Sequence, residues 1–387
     1  MNTAVLLFVY KRSSHTRQVL DALKRSIELP ERLLIFQDGV KHRSDYSEWK
    51  KVNDLICSID WCDKEIVVSD YNKGLADSIV SGINYAFERF EAVIVLEDDC
   101  VPTANFTCFM NQCFKKYKDD RRIYSVSGYT WPLSLRKKTY DVYGCGRISS
   151  WGWGTWKDRW AVYKKDYELV RKMKQAADTS KNLAAWGQDL EETLVGNIRG
   201  SCDSWAVFWA LNVISRQGIC INPYESFIRN IGMDGSGVHC GITNRFDVEC
   251  IDEGRKEFHL PDKIALLNET KQAFASLHGS YTAANEDADT KERIVIYGAG
   301  NFYLENEKRI NEDCFIECFI DQNKKGYFAG KKIICLNEIN DYEFEKIIVM
   351  VRDETVCANI VSVIKSYGIP EEKIEIGLFK FKNQRSV

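Results

Sequence analysis

Ala92-Val93-Ile94-Val95-Leu96-Glu97-Asp98-Asp99 is the stretch on which the reading of this chain turns. Its apolar part is short, uninterrupted and uncharged, which suits one buried strand. Three acidic side chains then arrive together at the strand's end, where they would repel one another unless a cation relieved them. Two earlier apolar runs, Ala4 to Tyr10 and Arg32 to Phe36, alternate with helical patterns at Thr16 to Ile27 and Leu75 to Phe90. Strand and helix in alternation predict an α/β domain with a mainly parallel sheet. Ligands of such sheets gather at the carboxyl ends of the strands. Lys11-Arg12-Ser13, Gln37-Asp38-Gly39 and Glu97-Asp98-Asp99 follow the three runs and are therefore the candidate site. A hard cation, Mn2+ or Mg2+, takes one or two protein carboxylates and completes its shell with water and diphosphate oxygens. A solvated acidic turn is the plainer alternative, and the buried strand in front of it favours the metal.

The 387 residues exceed the usual size of one core, so two domains are expected. Hydrophobic residues at 45%, charged residues at 28% and only 6 prolines exclude a disordered or collagen-like chain. A formal net charge of -3 gives no general electrostatic reason to bind nucleic acid. The apolar run near Met1 is followed by Lys11 and Arg12, the reverse of a secretory signal. No stretch of about 18 uncharged apolar residues occurs, so no transmembrane segment is expected. A cytoplasmic location follows as the expectation. Lys115-Lys116, Arg121-Arg122 and Lys137-Lys138 read as exposed charge; peripheral contact with the inner membrane face is a weaker reading of them. The 14 cysteines include no C-x-x-C pair, which favours buried reduced thiols over zinc or a disulfide framework.

The expected organisation is a domain over 1–260, a linker over 261–290 and a second domain over 291–387. The polar stretch Gly279 to Glu292 marks the linker, and the tryptophan- and glycine-rich region 120–245 reads as substrate-shaping. The second domain opens with Arg293 to Tyr297 and Gly298-Ala299-Gly300, then Phe315 to Ile320 ending at Asp321, then Lys346 to Val351. This is a small Rossmann-like pattern, with Asp321 near where a ribose-binding carboxylate would fall. Tyr303 stands at the position of the third glycine, so contact or scaffolding is favoured over dinucleotide binding.

In their order, these motifs resemble the GT-A glycosyltransferases, in particular N-acetylglucosaminyltransferase I and related bacterial family-2 enzymes. Tyr10-Lys11-Arg12-Ser13 is similar to the first nucleotide-contacting loop, and Phe36-Gln37-Asp38-Gly39 to the loop whose aspartate accepts from the uracil imide. Leu96-Glu97-Asp98-Asp99 resembles the variant D-x-D motif, which implies Asp99 as the metal ligand, with Glu97 and Asp98 serving the ribose or the loop. Ser127-Gly128-Tyr129 resembles the segment after the metal loop. Ser149 to Trp156 resembles an acceptor-side tryptophan-glycine motif, Cys202-Asp203-Ser204-Trp205 the segment of the catalytic base, and Gly232 to His239 the loop that closes over the donor. The resemblance covers roughly residues 1–245.

It implies inverting transfer of a sugar from a nucleotide-sugar donor, a UDP-sugar, to a hydroxyl of a glycan or lipid-linked acceptor in bacterial surface polysaccharide synthesis. Arg12 would support the diphosphate and Asp203 would take the acceptor's proton; Asp203 is equally a helix N-cap. Trp151, Trp153 and Trp156 are candidate acceptor contacts, of which one or two should be packed. Trp151 and Trp153 would share one face of an extended segment. His239 would reach the diphosphate or metal on loop closure, and Lys73 the donor unless it is simply solvated. A homo-oligomer is left open. A sugar nucleotidyltransferase and a non-catalytic nucleotide-sensing protein are the rival readings.

Overall fold

The computed structural model describes residues 1–387 apart from 134, 136–138, 169, 171–182, 184–185, 236–244, 267, 279–291, 308–309, 311–313, 325, 330, 343 and 378–387. It divides into two units, Met1–Ser280 and Tyr281–Val387. The first unit carries β1 Thr3–Val9, β2 Leu33–Gln37, β3 Lys64–Val68, β4 Ala92–Glu97, β5 Cys100–Pro102, β6 Ile123–Ser127, β7 Val142–Cys145, β8 Trp153–Trp156, β9 Ile219–Pro223 and β10 Ile228–Asn230. Eight of these form one mixed sheet in the order β3-β2-β1-β4-β8-β6-β9-β7, while β10 pairs with β5. Strands β3, β2, β1 and β4 run parallel, so the expected mixed, mainly parallel α/β sheet is present.

Both faces of that sheet are covered, which is why its central strands read as unbroken apolar runs. Alternate residues point to opposite faces. Val5, Leu7, Ile94 and Leu96 belong to one core, which also holds residues of α1 Ser13–Lys24, α2 Tyr46–Cys57 and α4 Phe106–Tyr117. Ala4, Leu6, Phe8, Val93 and Val95 belong to the other, together with residues of α3 Leu75–Phe87 and of the helix Trp205–Ile214. Strand β3 and helix α2 are elements that the apolar runs did not disclose.

The expected linker starts too early. Residues 268–278 form a helix whose Phe274 is fully buried, and Leu266 bridges to Gly144 of β7. Apolar burial therefore holds 261–278 in the first unit, and the boundary moves from 260 to about 280. The polar stretch expected to link the domains lies, apart from Glu292, outside the described residues, as do Lys137 and Lys138.

The second unit contains β11 Glu292–Tyr297, β12 Cys314–Ile320, β13 Gly326–Phe328, β14 Lys331–Ile334, β15 Lys346–Val349 and β16 Ile374–Ile376. Their order is β13-β14-β12-β11-β15-β16. All pairs are parallel except β13 with β14. The helix Glu354–Ser366 starts on Asp353, whose carboxylate accepts from the Thr355 and Val356 amides. Gly298 follows β11 with φ +112, a conformation that L side chains rarely adopt. Asp321 does not stand open for a ribose. It accepts from the Ala299 amide at 2.9 Å and from the Asn323 and Lys324 amides at 2.9 and 3.1 Å, while the Lys324 ammonium donates to the Ala299 carbonyl. The glycine loop is closed by its own chain.

Candidate functional site

Strand β4 delivers Glu97 to the sheet's carboxyl edge. The chain turns through Asp98 and Asp99 and leaves as β5, whose Cys100 sits opposite Asn230 of β10. Arg12, the residue before α1, reaches across to this turn. One of its terminal nitrogens, Nη2, donates to Asp98 Oδ1 and, at 2.8 Å, to Asp99 Oδ2. The other, Nη1, is enclosed and has no hydrogen-bond partner among the described residues.

Three carboxyl groups thus face one guanidinium. Burial is the main force raising the Asp98 carboxyl to about 6, with Arg12 opposing it. Burial also raises Glu97, and the charges of Asp99 and Asp98 add to the effect. Burial works against the Arg12 charge, but the two aspartates outweigh it and hold the guanidinium firmly protonated. The turn is short of positive charge while Arg12 still has an N–H to give. No cluster of three or more metal-ligating side chains exists among the described residues. A divalent ion that takes only one or two protein carboxylates, with water and diphosphate oxygens completing its shell, would be compatible with the carboxylates of this turn.

Asp99 is also fixed from behind. The Ile231 amide donates to the Asp99 carbonyl at 2.9 Å, and the Gly232 amide donates to Asn230 Oδ1 at 2.8 Å. Gly232 lies so close that a β-carbon there would overlap the Asp99 carboxylate and stand 2.8 Å from its Cγ. Two residues on, Asp234 Oδ2 is 3.2 Å from His15 Nε2 on the first turn of α1. His15 was missed in the sequence, although its place three residues after Arg12 could have marked it as a near neighbour once α1 was known to start at Ser13. His239 lies outside the described residues.

Asp38 is buried and holds two loops together. Its Oδ1 accepts from the Gly39 amide at 2.9 Å and the Lys73 amide at 2.8 Å. Its Oδ2 accepts from Asn72 Nδ2 and the Gly74 amide, both at 2.9 Å. All four acceptor positions of a carboxylate are in use, so accepting from a base's imide would require exchange of one of these bonds. Asp38 and Lys73 line one shallow cleft with Phe36, Gln37, Val67 and Ser69.

The structure does not join Asp203 to the acidic turn. Its carboxylate is 2.9 Å from Lys165 Nζ, which also lies 3.5 Å from Asp77. The helix beginning at Trp205 is capped by Ser204, whose hydroxyl accepts from the Val207 amide, so Asp203 is not the cap either. The tryptophans separate in a way that alternation does not predict. Gly152 has φ +59 and bends the chain, so Trp151 packs on one core and Trp153 on the other. Trp153 is fully buried and stacks on Trp205 at 5.2 Å. Trp156 is buried against Phe114. Neither is placed to meet an acceptor. Trp151 remains half-buried beside Tyr129, with ring centroids 4.6 Å apart.

Residues 290–375 match the family model C2185-like, N-terminal. No curated protein matches the chain. Among solved structures, the chain is similar to the mannosyltransferase PcManGT from Pyrobaculum calidifontis in complex with GDP-Man and Mn2+, at 10% identity and a TM-score of 0.29, covering 44% of this chain and 46% of that one. It is also similar to S. aureus TarS 1-349, at 10% identity and a TM-score of 0.32, covering 59% and 60%, and to the same protein with UDP-GlcNAc, at 12% identity and a TM-score of 0.30, covering 41% and 46%. The match spans less than two thirds of each of these three chains.

Proposed function

We propose that residues 1–280 transfer a sugar from a nucleoside-diphosphate sugar, a UDP-sugar in the reading the motifs favour, to a hydroxyl acceptor, with inversion and with Mn2+ or Mg2+ bound. The observation that carries this is the mismatch at the acidic turn. Arg12 presents a buried N–H without an acceptor, while Glu97, Asp98 and Asp99 share the single positive charge of Arg12. A metal diphosphate supplies both an oxygen for Arg12 and a cation for Asp99. The ordered resemblance of the surrounding motifs to GT-A glycosyltransferases points the same way.

Arg12 would hold the diphosphate through its free N–H while keeping Asp98 and Asp99 in place. The bound metal would neutralise charge developing on the leaving diphosphate. The nucleoside would lie on the side of Asp38 and Lys73. Proton acceptance by Asp203 would fall to Oδ2, since Oδ1 is paired with Lys165. No helix among the described residues is long and apolar enough to cross a membrane. Synthesis of a bacterial surface glycan in the cytoplasm, with a glycan or lipid-linked acceptor, is the setting this reading implies.

The test is calorimetric titration of UDP and GDP into the full chain with and without Mn2+, alongside hydrolysis of a panel of nucleotide sugars. Binding should require the metal, and both Asp99→Asn and Arg12→Met should weaken it by at least about tenfold, the equivalent of roughly 1.4 kcal/mol. Metal-independent binding, or binding untouched by both variants, would remove the basis for the reading.

A further inference from the structure

A cleft of about 560 Å³ is lined in part by the segment that backs Asp99. Asn230, Ile231, Met233 and Asp234 line it, together with Gln18 of α1. Tyr129, Arg229, Phe246 and Asp247 line it as well. Ile231 touches both places, donating to the Asp99 carbonyl while lining the cleft.

The ring of Phe246 stands edge-on to Trp131 and Trp151, with centroids 6.0 and 5.9 Å away, and its carbonyl accepts from the Tyr129 hydroxyl at 2.7 Å. That packing makes the ring a fixed apolar edge. Around it, Arg229 and Asp247 are exposed and form no ion pair or side-chain hydrogen bond with other described residues. Asp234 is positioned at the rim by His15.

We infer that this cleft binds the sugar ring of the acceptor, an uncharged pyranoside whose apolar C–H face rests on Phe246 and whose hydroxyls pair with Asp234, Asp247 and Arg229. This rests on the proposed sugar transfer at Asp99 and deepens it by assigning the acceptor's chemical class and seat. The chemistry excludes the alternatives. A polyanion would meet two carboxylates in the same cleft, and a purely apolar occupant would make no use of Arg229 and Asp247. A ring of hydroxyls satisfies both signs at once, since each hydroxyl both donates and accepts. An apolar ring edge with a few convergent polar groups is also what orients a small ligand in a pocket. The site thereby passes from the tryptophan segment, where Trp153 and Trp156 are core, to residues at 229–234 and 246–247.

The experiment is saturation-transfer NMR on the full chain with UDP and Mg2+, using methyl glycosides of glucose, galactose and N-acetylglucosamine as probes. At least one glycoside should receive saturation, and Asp247→Asn and Arg229→Gln should each weaken its binding at least fivefold while leaving UDP affinity unchanged. Both side chains are exposed, so neither change should affect folding, and unchanged UDP affinity verifies this. Wild-type protein that binds UDP but saturates no glycoside overturns the inference, as does a glycoside signal that both variants leave intact. Absence of UDP binding refutes the donor-site reading instead, and glycoside binding lost in the variants would then still support the cleft as a sugar site.

Discussion

Gly232→Ala tests the proposed donor site without altering a single charge. The added β-carbon would lie 2.8 Å from Asp99 Cγ and 3.0 Å from Asp99 Cβ, whereas carbon atoms settle at about 3.5–4.0 Å. Something must therefore withdraw by about 1 Å. The backbone on the glycine side is held by the Ile231 bond to the Asp99 carbonyl and by the Gly232 bond to Asn230. The Asp99 carboxylate, tethered to Arg12 at 2.8 Å, is the part able to yield. Overpacking of this kind costs about 1–3 kcal/mol, or a few degrees in the unfolding temperature of a unit this size, taking about 2–4 °C per kcal/mol. Function should suffer more. A displacement of about 1 Å in a positioning group lowers turnover by about a hundredfold. Nucleotide-sugar turnover and metal-dependent UDP binding, measured beside thermal unfolding, separate the two effects. Full turnover and unchanged UDP affinity in Gly232→Ala would show that Asp99 does not hold the metal diphosphate.

Two further outcomes follow from groups away from that turn. Burial lowers the His278 imidazole to about 4, and the neighbouring Arg147 acts in the same direction while Asp189 opposes it. The unfolded chain, with a histidine near 6.5, binds the proton first. Stability is thus fully present above about pH 6.5 and is lost as pH falls toward 4, amounting to about 2 kcal/mol by pH 5. Urea unfolding at pH 7 and pH 5 should show that loss in the wild type and a smaller one in His278→Phe; equal losses would contradict it. Asp203→Asn should reduce turnover less than about tenfold, because the carboxylate is engaged with Lys165 in a partly exposed pair. A loss of a hundredfold to ten-thousandfold, the range for removing a general base, would return proton acceptance to Asp203.

The central strands were legible because burial on both faces leaves nothing polar in them: Ala92 to Leu96 are at most 1% exposed. Strand β3 was not, because it is an edge strand paired only with β2 and its Glu65 serves Arg32 and Arg89 in place of the core. Helix α2 buries only Val52 and Ile56, too thin a stripe to register as a period. The acidic turn could be read from one continuous stretch. The cleft beside it could not, since Tyr129, Arg229 and Phe246 meet only through folding. Trp151 and Trp153 were assigned one face because alternation assumes an unbroken strand, and Gly152 breaks it. Asp321 occupied the expected position in sequence, but its acceptor capacity went to the amides of its own loop.

Asp38 has a consequence for how a donor would enter. By bonding Gly39 and Asn72 to Gly74 at once, one carboxylate welds the loop after β2 to the loop before α3. The two can only travel together, so that side of the site behaves as an anvil. In the proposed site, adjustment to nucleotides of different size would then fall to segments that Asp38 does not bind, such as Met233 to Gly235, tied to α1 by the pairing of His15 with Asp234. Breadth of donor choice would then be a property of such segments, and changes at Asp38 would alter whether a donor is held at all more than which one is chosen.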